Sequence, residues 1–152
     1  MNNKVIDLLN QARARELTAI TQYMAQHYEL EDQDFGKLAT KLKETGIAEM
    51  KHAEKLAERI LFLKGEPTSK PDGLAKKGQE IPDMLKTDIG LEAEAIKTYN
   101  EAAGICAAEK EQISKQLFEE LLKDEEDHLD MFENIKDHVE KLGASYLATL
   151  AG

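Results

Sequence analysis

The sequence predicts an all-α chain: four long helices in two antiparallel hairpins, joined by one long crossover and followed by a short fifth helix. Three observations predict it. Apolar residues recur at alternating spacings of three and four through four long segments, the period of one helix face. The 152 residues include only three prolines, and two of them fall between residues 65 and 80, the one long stretch with no sustained period. Glutamates and histidines repeat in register inside the apolar stripes.

The first helix is expected over about residues 3–35, with Leu9, Ala12, Glu16, Ile20, Tyr23, His27 and Leu30 on one stripe. The second, about 37–64, opens after Gly36 and carries Leu38, Leu42, Thr45, Glu49, His52, Leu56, Ile60 and Leu63, with Gly65 and Pro67 as stop signals. Pro67, Ser69, Pro71, Gly73 and Gly78 then mark a connection too long for a hairpin turn. The third helix, about 82–109, starts at Pro82, a residue suited to a first turn, and presents Leu85, Ile89, Glu92, Ile96, Tyr99, Ala103 and Cys106. The fourth, about 111–142, presents Leu117, Leu121, Glu125, His128, Phe132, Ile135, Val139 and Leu142 before Gly143 ends it. Residues 144–150 are expected to form a short tail helix. The turn between the third and fourth helices is the least marked, since Ala107 to Glu111 contains neither glycine nor proline.

The chain reads as a single domain over 1–152 with one hydrophobic core. Cys106 is the sole cysteine and cannot pair within the chain, and no apolar leader follows Met1. Both features predict a reducing, cytoplasmic setting. The longest aliphatic and aromatic run, Ile60 to Leu63, is far too short for a membrane span. A formal charge of -10 without clustered Lys and Arg argues against nucleic acid as a partner.

The chemistry lies in a repeat. Glu16 precedes Glu49 by 33 residues and Glu92 precedes Glu125 by 33; His52 and His128 each follow three residues after the second glutamate, and the two sets are offset by 76. One Glu-X-X-His means little in so acidic a chain, but its doubling with equal upstream spacing is specific. Four ionised carboxylates in apolar seams would repel one another and be costly to bury unless cations sit between them. Oxygen-rich ligands with two imidazoles suit iron or manganese rather than a sulfur-ligated zinc. Glu16 and Glu92 are then outer carboxylates, Glu49 and Glu125 bridging ones, and His52 and His128 terminal ligands, one per metal. Tyr23, two turns after Glu16, is a candidate to hydrogen-bond a ligand or donate an electron, with core packing as the competing reading. Tyr99, two turns after Glu92 and at the same offset of 76 from Tyr23, carries the same two readings, with core packing the favoured one. His27 reads as a hydrogen-bonded core histidine, His138 as exposed, and Cys106 as a small buried apolar residue.

The stretches Ala48-Glu49-Met50-Lys51-His52-Ala53-Glu54, Glu58-Arg59-Ile60-Leu61-Phe62-Leu63-Lys64-Gly65, Leu91-Glu92 and Asp124-Glu125-Glu126-Asp127-His128 resemble the bacterioferritin family along essentially the whole chain. The resemblance implies a ferritin-like bundle and a cage of 24 subunits built from dimers. It also implies oxidation of Fe(II) by oxygen or peroxide at a dinuclear iron centre, ferric mineral stored inside, and a ferredoxin-type reductant for iron release. Met50 occupies the position from which that family binds haem b, one methionine from each of two subunits; by itself a helix methionine is ordinary packing. Gly46, one turn earlier, is expected to make room for the porphyrin. Two positions depart from the family: Ala48, often Asp, and Glu44, often His, which puts an auxiliary iron site on the inner cage surface in doubt. The competing functional readings are a rubrerythrin-like dinuclear-metal peroxidase, which finds no Cys-X-X-Cys pair here, and a metal-free helical interaction module, which leaves the buried glutamates unexplained.

Overall fold

The computed structural model describes residues 2–152. Its helices are α1 (Asn3–Asp32), α2 (Gly36–Phe62), α3 (Ile81–Ala108), α4 (Gln112–Leu142) and the short α5 (Ala144–Ala148). The Asn2 side chain caps α1 by accepting from the Val5 N–H, and Pro82 lies in the first turn of α3. None of these helices is long and apolar enough to cross a membrane.

The ends of α1, α2 and α3 share one device. Asp34, Lys64 and Lys110 adopt positive φ angles of 67°, 72° and 61°. After each, an amide bonds back across six residues: Phe35 to the Leu30 carbonyl at 2.9 Å, Gly65 to Ile60 at 2.9 Å, and Glu111 to Cys106 at 2.8 Å. This left-handed cap satisfies carbonyls that the helix end would leave bare. It also explains why the α3–α4 turn was hard to see, because a lysine takes the conformation for which glycine is the usual signal. Gly65 closes the cap of α2 with its amide, and its bareness matters as well: a Cβ there would stand 2.7 Å from Ile6 Cγ2, so the glycine lets the crossover leave α2 against α1.

Helix α1 packs along α2 and α3 along α4, while α1 touches α3, α2 touches α4, and α5 folds onto α4. The crossover must climb the length of the bundle so that α3 can start beside the C-terminal end of α1. It does so on a ladder of α1 side chains. Asn10 holds Glu66 and Thr68, Arg13 Nε donates to the Thr68 carbonyl at 2.8 Å, and Thr18 accepts from Asp72 and Gly73. Higher up, the Gln22 amide pairs with both backbone groups of Lys76 at 2.8 and 2.9 Å, and Glu29 receives the Gly78 N–H. At the far end of the chain, the Lys37 amide donates to Leu150 at 3.1 Å, which anchors the tail at the α1–α2 turn.

The single core expected from the sequence is in fact two. One apolar cluster joins Val5, Leu9, Leu56, Ile60, Tyr99, Cys106, Phe118 and Leu121; the other joins Tyr23, Leu30, Leu38, Leu42, Leu85, Phe132, Ile135 and Leu150. Between them lies a polar layer. Gly46 also departs from its expected role. Its missing side chain faces α1, where a Cβ would lie 3.2 Å from Met24 Sδ and 3.7 Å from Tyr23 Cβ, so the glycine serves the close approach of α1 and α2.

Candidate metal centre

The polar layer contains Glu16 from α1, Glu49 and His52 from α2, Glu92 from α3, and Glu125 and His128 from α4. All four carboxylates are 1% exposed. The 3.6-residue period that buries Ala12 and Ala19 buries Glu16 between them, and i, i+3 spacing sets each histidine over its own helix's glutamate.

These side chains form two overlapping groups, Glu16, Glu49, His52 and Glu125, and Glu49, Glu92, Glu125 and His128. Within each group one ligand atom per residue lies within 4.8 Å of all the others. Glu49 and Glu125 belong to both, which is the arrangement of carboxylates placed between two cations. His52 Nδ1 is 3.2 Å from Glu49 Oε1, 3.4 Å from Glu16 Oε2 and 3.5 Å from Glu125 Oε1. His128 Nδ1 is 3.3 Å from Glu125 Oε1, 3.5 Å from Glu49 Oε1 and 3.6 Å from Glu92 Oε1. Ligands about 2.1 Å from a common metal stand roughly 3–4 Å apart, so the spacing fits coordination. Six buried atoms here lack any hydrogen-bond partner: Glu16 Oε2, Glu49 Oε1, Glu92 Oε2, Glu125 Oε1, His52 Nδ1 and His128 Nδ1. One comes from each of the six residues. Buried polar atoms are rarely left so, and two divalent cations would satisfy all six.

In the absence of cations the layer takes up protons. Removal from water, then repulsion from Glu16, Glu125 and Glu92, raises the Glu49 carboxyl well above the usual range. Removal from water and the Glu16 charge push Glu125 the same way. For the imidazoles, burial works downward but is outweighed: Glu16 and Glu125 lift His52 to about 9, and Glu125 and Glu92 lift His128 to about 10.

Two tyrosines close the layer, each from one apolar cluster. Tyr23 Oη donates to Glu92 Oε1 at 2.5 Å and Tyr99 Oη to Glu16 Oε1 at 2.6 Å. Tyr99 thus takes the hydrogen-bonding role that its 76-residue offset from Tyr23 allowed and that core packing outweighed in the sequence. Asp124 had no role in the sequence reading: its Oδ2 accepts from His52 Nε2 at 2.8 Å. Met50 stands apart from the centre, 52% exposed on the surface of α2, three residues after the partly exposed Ile47. His27 is buried with its Nδ1 2.7 Å from the Ala39 carbonyl, His138 is exposed, and Cys106 is buried in an apolar cluster.

A ferritin-like domain family model matches residues 6–142. Among curated relatives, the bacterioferritin of Desulfovibrio desulfuricans is 44% identical over 149 residues, 98% of this chain and 83% of the relative. That of Rhodobacter capsulatus is 40% identical over 148 residues, 97% and 91% of the two chains. Among solved structures, the D. desulfuricans protein, described with a diiron site in different catalytic states, superposes with a TM-score of 0.97 over 99% of this chain and 88% of its own, at 44% identity. The R. capsulatus structure, described with a metal-free dinuclear site and a haem iron, gives 0.94 over 100% and 96% at 39% identity.

Proposed function

This chain belongs to the bacterioferritin family, and from that premise we propose that it is an iron-storage ferroxidase that oxidises Fe(II) to Fe(III) at its dinuclear centre and stores the ferric product in a cage of 24 subunits. The observation that carries the reading is the set of six buried, unpartnered ligand atoms in two groups sharing Glu49 and Glu125. Four carboxylates and two neutral imidazoles balance the charge of two Fe(II) ions, so the substrate itself removes the repulsion that protons would otherwise relieve. Two Fe(II) supply two electrons, enough to reduce oxygen to peroxide or peroxide to water.

The protein's part is to hold and balance. Glu16 with His52, and Glu92 with His128, terminate the two positions, while Glu49 and Glu125 span them. Tyr23 and Tyr99 each hold a proton on a phenol bonded to a terminal carboxylate, and burial with the charge of Glu92 or Glu16 keeps those phenols protonated. If a third electron is drawn from Tyr23, its proton passes to Glu92 along the 2.5 Å hydrogen bond. We expect Glu49→Ala or His128→Ala to slow the rise of ferric absorbance after Fe(II) is added in air by at least tenfold. Wild-type rates in both would overturn the site assignment.

Met50, half-exposed beside Ile47, suits a group shared with a second subunit, and it would hold a haem b between two copies. Haem there would supply one-electron transfer. Met50→Leu should abolish the Soret band while leaving the first oxidation of Fe(II) unchanged. A ferredoxin-type reductant for iron release and a reducing cytoplasmic setting, in keeping with the unpaired Cys106, complete the reading.

A further inference from the structure

The two halves of the centre match at every ligand and at both tyrosines. Glu16 answers Glu92, Glu49 answers Glu125, His52 answers His128 and Tyr23 answers Tyr99, all at the same offset of 76 residues. The flanking residues differ between the halves, and one difference bears directly on the histidines. Asp124, immediately before Glu125, corresponds to Ala48, immediately before Glu49.

Asp124 reaches across from α4 to α2 and accepts a hydrogen bond from His52 Nε2 at 2.8 Å. The corresponding reach, from residue 48 on α2 to His128 on α4, has only a methyl group to make it. Among the described residues His128 Nε2 has no hydrogen-bond partner in the protein, and its side chain is 15% exposed against 3% for His52.

A carboxylate on the far nitrogen of a ligating imidazole does three things. It fixes the proton on Nε2, leaves the Nδ1 lone pair facing the metal position, and makes that lone pair more basic; losing such a partner typically weakens metal binding by about 10–100-fold. His52 has all three effects, and its Nδ1 is held among Glu16, Glu49 and Glu125. His128 must obtain them from water.

Resting on the six-ligand reading above, we propose that the two positions are unequal by construction: Asp124 is a positioning residue that makes the Glu16/His52 position the tighter one, and Ala48 leaves the Glu92/His128 position the weaker. A divalent ion then enters the His52 side first, and the second ion completes the pair.

The surface beside these residues allows the missing group to be restored. Ala48 and Asp124 line one open pocket of about 420 Å³ together with Glu44, Lys51 and His52, so an aspartate at position 48 has room to stand.

The test is a titration of the metal-free protein with Co(II) under anaerobic conditions, followed by calorimetry and visible absorption. It is joined to anomalous-scattering occupancies from crystals soaked at one Co(II) per subunit. We expect two steps at least tenfold apart, with the anomalous signal concentrated beside His52. Asp124→Ala should weaken the first step about tenfold and spare the second, and Asp124→Asn, which keeps a neutral acceptor, should fall between it and wild type. Ala48→Asp should tighten the second step towards the first. Equal occupancy in the wild type, or an Asp124→Ala effect shared equally by both steps, overturns the inference while leaving the six-ligand centre standing. No Co(II) at either position overturns the centre itself.

Discussion

Tyr23 and Tyr99 make the residue-scale case that burial converts an ordinary side chain into part of a centre. Each phenol sits in an apolar cluster, yet each donates to a buried carboxylate oxygen that, among the described residues, has no other hydrogen-bond donor. Removing one hydroxyl leaves that oxygen bare, a cost of about 1–3 kcal/mol. Tyr23→Phe and Tyr99→Phe should therefore lower the melting temperature of the metal-free protein by similar amounts. A silent Tyr99→Phe beside a costly Tyr23→Phe would show that only one tyrosine acts. From sequence, Tyr23 could be suspected because it follows Glu16 by two turns. Tyr99 has the same relation to Glu92, but no local feature of either residue shows that each reaches the glutamate of the opposite helix. Asp88, four residues before Glu92, was equally illegible: removal from water and the Glu92 charge, against the pull of Gln26, keep its carboxyl well above its ordinary range.

At the scale of elements, the four long helices were legible because each is a long amphipathic segment whose period survives interruption by its own buried glutamates and histidines. Their ends were less so. Asp34, Lys64 and Lys110 take the left-handed conformation without being glycine, and hydrogen bonds back to Leu30, Ile60 and Cys106 stabilise that choice. The crossover was legible as a connection and illegible as a structure. It has no period of its own because its order comes from Asn10, Arg13, Thr18, Gln22 and Glu29 on α1. These polar residues lie beside the seam that faces the core, where the sequence offers no reason for them. Gln22 makes two of these bonds, so Gln22→Leu should free the crossover locally at a cost of about 1–3 kcal/mol. Limited trypsin digestion should then cut after Lys76 or Lys77 well before the helices are touched. Cleavage rates equal to wild type would mean that the ladder is redundant.

For the whole molecule, the buried layer sets how stability depends on acidity. His52 and His128 have folded-state values of about 9 and 10, above the ordinary value near 6.5. Groups raised in this way stabilise the fold fully below the unfolded value and lose that contribution as pH rises through the folded one. The raised carboxyls of Glu49 and Glu125 act in the same direction, beginning lower on the pH scale. The metal-free protein should therefore melt at progressively lower temperature as pH is raised from 6.5 to 10. Cations reverse this trend, since they replace the same protons, and the gain in melting temperature on adding Co(II) should grow with pH. A metal-free protein whose stability rises over that window would contradict the proton-filled layer. The division of the apolar core into two clusters belongs to the same scale: the polar layer occupies the middle of the bundle, and each cluster closes one side of it.

The sequence by itself determined the helices, their pairing into hairpins, and which six Glu and His residues come together in the buried layer, because helical periodicity is local and the Glu-X-X-His repeat lies on that period. The family resemblance followed from the same residues. What only the tertiary structure decided is every relation between helices: that Glu49 and Glu125 are shared, that each tyrosine serves the opposite glutamate, that Gly46 faces Met24, and that Asp124 braces His52 while Ala48 braces nothing. The physical reason is that these contacts join residues far apart in the chain. Spacing along one helix states which face a side chain occupies, and only packing states what it meets there.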